Sequence, residues 1–189
     1  MLEQLLDQFR HIVQSFINNF HFTFKIILIF IFIQILNKFL SYRLNQLGIL
    51  PRKARGLPGI LLSPFLHGDF SHLFLNMIPL FILMNFILVF GDEKFFIISI
   101  FIIIIGGLGV WAFGRKALHI GASGLVFGYW GYLLTNAFVH FSVLTIILAV
   151  ICLYYFGGMV IGLFPKSNEE SFEGHLFGAV AGVMASFLF

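Results

Sequence analysis

Residues 95–105 read FFIISIFIIII, a run broken only by Ser99. A membrane strand alternates lipid-facing and lumen-facing residues, whereas this run is apolar in every direction. It continues through GGLGVWAFG to residue 114, reaching the roughly twenty residues that cross ~30 Å of hydrocarbon as a helix. A β-barrel is excluded on the same ground. The fold class is an all-α polytopic membrane protein.

The remaining sequence agrees. Hydrophobic residues make up 60% of the 189 positions, charged residues 10%, and Phe occurs 27 times. An ordinary globular domain has about 45–50% and about 25% of the first two. Polar surface is too scarce to cover a water-soluble sphere, so lipid is the solvent for most of the chain. The net charge of +3 is scattered near span ends. That suits anionic lipid headgroups and offers no clustered face to nucleic acid, which is not expected as a partner. Cys152 is the single cysteine, so no internal disulfide can form.

Six spans are expected, at residues 22–40, 72–90, 95–114, 122–139, 143–163 and 171–189. The first apolar stretch follows a mixed segment with Glu3, Asp7 and Arg10 and precedes no small-x-small site, so it reads as a retained span. Residues 1–21 are expected to be a short, amphipathic interfacial segment, and residues 22–189 one membrane-embedded domain. Residues 41–71 form a long first loop carrying Arg43, Arg52, Lys53 and Arg55 with three prolines; residues 166–170 form a short polar loop.

Polar groups inside spans are costly and mark function by default. Four places qualify. His72 and Asn76 stand at i and i+4, on one face of span two; the bland alternative is an interhelical hydrogen bond. Gly121-Ala122-Ser123-Gly124 opens span four, where a lone Ser is more often a helix cap. His175, Gly178 and Gly182 share a face of span six, and the glycines admit a partner helix closely; alone, this is a packing motif. His67-Gly68-Asp69 precedes span two, where a loop role is as good a reading as chemistry.

Together the pieces complement one another. A Ser at a span start can be a nucleophile, a His on a packed neighbour its base, and a second His with an Asn can donate to an oxyanion. No Asp or Glu inside the spans is placed to complete a triad, and Glu173 lies two residues from His175, pointing elsewhere.

These motifs, in this order, resemble the rhomboid family of intramembrane serine proteases. His72 and Asn76 match its HxxxN element; Gly121, Ser123 and Gly124 match its GxSG element; His175, Gly178 and Gly182 match its His-xx-GxxxG element. The likeness runs from about residue 60 to the C-terminus, and the ordered triple is far more specific than GxSG alone. It implies a six-transmembrane-helix rhomboid-like bundle, with Ser123 as nucleophile and His175 as base. Asn76, His72 and the Ser123 backbone N–H would form the oxyanion hole. Phe127, one turn after the nucleophile, stands where the family commonly has Tyr and can still stack on His175. Pro58-Gly59 replaces a Trp-Arg pair of well-known bacterial members, and Gly174 replaces the usual Ala before the histidine.

The resemblance implies an enzyme, a serine endopeptidase, whose partners are transmembrane protein substrates and membrane lipid, with no cofactor and no metal. An inactive, derlin-type rhomboid-like protein that binds client helices is the alternative; such relatives lose the Ser or the His, and this chain keeps both. A transporter lacks the expected pair of broken helices, and a metalloprotease lacks HExxH spacing. The expected location is the cell (inner or plasma) membrane, multi-pass, with the active site opening to the extracytoplasmic side. The Lys/Arg distribution argues the reverse, since the first loop is the more basic side. The family topology is preferred because the charge rule is only a bias.

Overall fold

The computed structural model describes residues 2–164 and 171–189. The polar loop expected at residues 166–170 lies outside them. Among these residues seven α-helices follow in order: α1 (Leu2–Phe39), α2 (Gly59–Leu62), α3 (Phe70–Leu88), α4 (Asp92–Phe113), α5 (Ser123–Val139), α6 (Val143–Phe156) and α7 (Phe172–Leu188). No strand occurs among the described residues; one isolated β-bridge joins Ile49 to His119.

Among the described residues, four segments are long and apolar enough to cross a membrane: α1, α3, α4 and the stretch Val143–Leu163. The last comprises α6 and a 3-10 continuation, Gly157–Leu163. Helices α5 and α7 have 17 residues each, or about 26 Å. Helix α1 runs unbroken for 38 residues, about 57 Å, so the N-terminal segment and the first span share one rod. Asn85 Nδ2 ties α3 to α1 by donating to Thr23 Oγ1 at 3.0 Å, and Phe16 and Phe20 both meet the Phe81 ring edge-on.

The packing that positions the site is between α5 and α7. A Cβ at Gly178 would collide with the Gly124 carbonyl, and one at Gly182 with the Gly128 carbonyl. The two backbones therefore touch, as small residues allow between membrane helices. On its other side α7 meets α4, where a Cβ on Gly106 would lie 3.4 Å from the Gly178 Cα. The first loop is compact and pinned to the end of α4. Trp111 Nε1 donates to the Lys53 carbonyl at 3.0 Å, and an Arg52 guanidinium N–H to the Ala112 carbonyl at 2.9 Å.

Candidate functional site

The segment leading to Ser123 is held almost amide by amide by the first loop. His119 and Ile49 exchange both backbone hydrogen bonds at 2.9 Å, and Gly121 N–H donates to the Ser63 carbonyl at 2.9 Å. Ala122 N–H donates to Nε2 of His67 at 3.3 Å. Gly121 has φ +117°, a region other residues rarely adopt. A Cβ there would also sit 2.9 Å from His72 Nε2 and 3.9 Å from Ser123 Oγ, so the glycine keeps the space between these side chains open. The cap position of α5 is Ala122 and Ser123 is the first helical residue. Its hydroxyl is therefore not engaged as the cap, and its N–H is one of the amides a helix start leaves without an intrahelical partner.

His175 lies in the first turn of α7. Its ring stacks on Phe127, with centroids 4.2 Å apart and planes 7° apart. Its Nδ1 is 2.9 Å from the Gly162 carbonyl oxygen. A carbonyl only accepts, so Nδ1 carries the proton and, in the neutral ring, Nε2 keeps its lone pair. Gly124 and Gly174, the residues flanking the serine and the histidine, are close too: a Cβ on Gly124 would be 3.2 Å from the Gly174 oxygen.

One cavity of about 820 Å³ is lined by Ser123, His175, His72, Asn76 and Phe127 together. Its apolar wall includes Leu75, Val126, Phe156 and Met159. Asn76 Nδ2 donates to the His72 carbonyl at 2.9 Å, which uses one of its two N–H groups and leaves the other for a ligand. Asp69 caps α3, its carboxylate accepting from His72 N–H at 2.8 Å. The structure thus brings these five sequence-selected side chains to one cavity. Gly178 and Gly182 lie below them in the α5–α7 contact.

Glu173 turns away toward Arg115, whose guanidinium Nε lies 3.6 Å from Oε1. His67 is fully buried, and burial first, then the neighbouring His72, pushes its pKa down to about 3. It is thus a neutral acceptor for the Ala122 amide. Sequence reasoning left three participants unnamed. The Gly162 carbonyl has no signature, since every residue has one. Ser171 and His119, hydrogen-bonded at 2.6 Å, had only a weak one, a Ser preceding a helix.

A hydroxyl, an oriented imidazole and spare N–H donors around one cavity are the equipment of acyl transfer. The sequence profile of the Rhomboid domain matches residues 55–189. The chain belongs to the rhomboid family. Uncharacterized proteins of Mycobacterium bovis and Mycobacterium tuberculosis are each 35% identical to this rhomboid over 165 residues, covering 82% of it and 69% of their own length. An uncharacterized protein of Mycobacterium leprae is 32% identical over 166 residues, covering 82% of the rhomboid and 65% of its own length. Family membership and the apolar helices make it a multi-pass membrane protein.

Proposed function

We propose that this rhomboid is an intramembrane serine endopeptidase that cleaves transmembrane or membrane-adjacent segments of other proteins with a Ser123–His175 dyad. The observation that carries it is the shared cavity, in which His175 presents the tautomer a general base needs. His175 Nε2 takes the Ser123 hydroxyl proton as Oγ attacks the scissile carbonyl. The oxyanion is met by the Ser123 N–H, the free Asn76 N–H and His72. His175 then passes its proton to the leaving amine, and water repeats the sequence on the acyl-enzyme. The apolar wall suits the side chains of a membrane segment.

In the same proposal α1, α3, α4, α5, α6 with its 3-10 extension, and α7 are six spans. The first 21 residues continue the first span within α1 toward the membrane interface, and the cavity opens to the extracytoplasmic face of the cell membrane. The test is labelling of purified protein with a fluorophosphonate. Wild type should be labelled on Ser123 and Ser123→Ala should not. Unlabelled wild type that still captures a transmembrane peptide would instead mark a non-cleaving binder.

A further inference from the structure

Upstream of Ser123 and of His175, two pairs of side chains join the chain segments that deliver them. His119 is buried, and its Nε2 lies 3.1 Å from the Arg115 carbonyl. The carbonyl can only accept, so in the neutral ring Nε2 carries the proton and Nδ1 accepts. Ser171 supplies that partner, its hydroxyl donating to Nδ1 at 2.6 Å. The Ser171 oxygen accepts in turn from Gly174 N–H at 3.3 Å, as the cap of α7. Every donor thus has its acceptor. Burial is the main influence lowering the His119 pKa, which keeps this arrangement neutral.

The second pair is ionic. Arg115 N–H donates to Glu173 Oε1 at 3.1 Å, with the guanidinium of the same residue beside that oxygen. Arg115 and His119 precede Ser123 by eight and four positions; Ser171 and Glu173 precede His175 by four and two. His119 also carries the backbone bridge to Ile49, so this one residue joins the first loop through its backbone, and the segment after α4 and the start of α7 through its imidazole. Ser171 borders the large cavity beside Ser123 and His175. With His119 and Ser123 it also lines a second cavity of about 50 Å³.

Resting on the assignment of Ser123 and His175 above, we propose that His119 and Ser171 are positioning residues. They lock the cap of the base-bearing helix to the segment that presents the nucleophile. The latch acts by setting the distance between the reacting groups, so it governs turnover more than affinity.

The substitutions that separate this role from simple support are paired. In His119→Asn the amide oxygen takes the place of Nδ1 and still accepts from Ser171; in His119→Gln the amide falls at Nε2 and the Ser171 partner is lost. Ser171→Thr keeps the hydroxyl and Ser171→Ala does not. Each full-length variant in liposomes is assayed for kcat and KM on a transmembrane peptide. Its fluorophosphonate labelling rate is measured with the labelled serine mapped by mass spectrometry. Ser171→Ala and His119→Gln should lose about tenfold or more in kcat and labelling rate with KM within about twofold. Ser171→Thr and His119→Asn should stay within about threefold of wild type. Should Ser171→Ala not fold, the Asn and Gln pair decides alone. Equal losses in those two, or wild-type kcat in a folded Ser171→Ala, would overturn the latch. So would label mapped to Ser171, which would make that hydroxyl the nucleophile. Label retained by Ser123→Ala at another residue would remove the dyad itself and the positioning role with it.

Discussion

Nδ1 of His175 donates to the carbonyl oxygen of Gly162 at 2.9 Å. In a Ser-His-Asp triad a buried carboxylate fixes the imidazole tautomer; here a backbone carbonyl of the 3-10 segment after α6 is placed to do so. Phe127 holds the ring plane from one face. A neutral acceptor stabilises an imidazolium less than a carboxylate would, which fits a base embedded in a low-dielectric bundle where a buried charge is costly.

Gly162→Ala should therefore damage the base. A Cβ at this position would lie 2.7 Å from Phe127 Cζ and 3.2 Å from His175 Nδ1. The ring must shift, and a displacement near 1 Å costs on the order of 10²-fold in rate. Steady-state cleavage should show the loss in kcat; an unchanged kcat would free His175 from any dependence on this contact.

Ser123→Ala and His175→Ala should each abolish cleavage while the protein stays folded. Because the two act as one unit, the double variant should be no worse than either single variant. Endpoint cleavage of a reconstituted substrate reads all three, and near wild-type activity in Ser123→Ala would sink the dyad.

Gly182→Leu should inactivate by geometry. Its side chain has no room against the Gly128 carbonyl, so α7 is driven off α5 and His175 moves with it. Thermal unfolding in detergent should fall alongside activity, whereas Ser123→Ala should melt near wild type. A fully active Gly182→Leu would contradict the backbone contact.

His67 gives stability a pH dependence. Its folded pKa is near 3, against about 6.5 when unfolded. Between those values the unfolded chain binds the extra proton, so stability is fully present above about pH 6.5 and is lost as pH falls toward 3. The slope from this group alone is roughly 1.4 kcal/mol per pH unit. His67→Gln keeps an acceptor for the Ala122 amide but cannot be protonated. The wild-type minus variant difference in melting temperature should accordingly become more negative as pH drops from 6.5 to 4.5; a flat difference would refute the account.

Orientation is decided by labelling. In a Cys152→Ser background, a cysteine replacing Arg55 should react with an impermeant maleimide added to intact cells. One replacing Glu93 should react only after lysis. The Lys/Arg distribution predicts the opposite pattern for both. Labelling of Glu93→Cys from outside would invert the protein without altering its dyad.

The all-helical membrane class and the motifs are legible in the sequence because lipid enforces simple rules. Backbone groups must be satisfied within helices, so runs such as residues 95–105 declare themselves, and the polar residues that survive among them, His72, Asn76, Ser123 and His175, stand out by their cost. The sequence also placed glycines at Gly178 and Gly182, where helix α7 needs them. It could not show that α1 continues unbroken from Leu2 to Phe39, because amphipathic and spanning segments can share one rod. Nor could it show that Ala122 and not Ser123 occupies the cap of α5, a matter of one residue's dihedrals. The Gly162 carbonyl and the His119–Ser171 bond are also decided by tertiary structure. A backbone acceptor is chemically the same at every position, and a hydrogen bond between residues 52 apart exists only once α7 has packed against α5 and brought the two ends together.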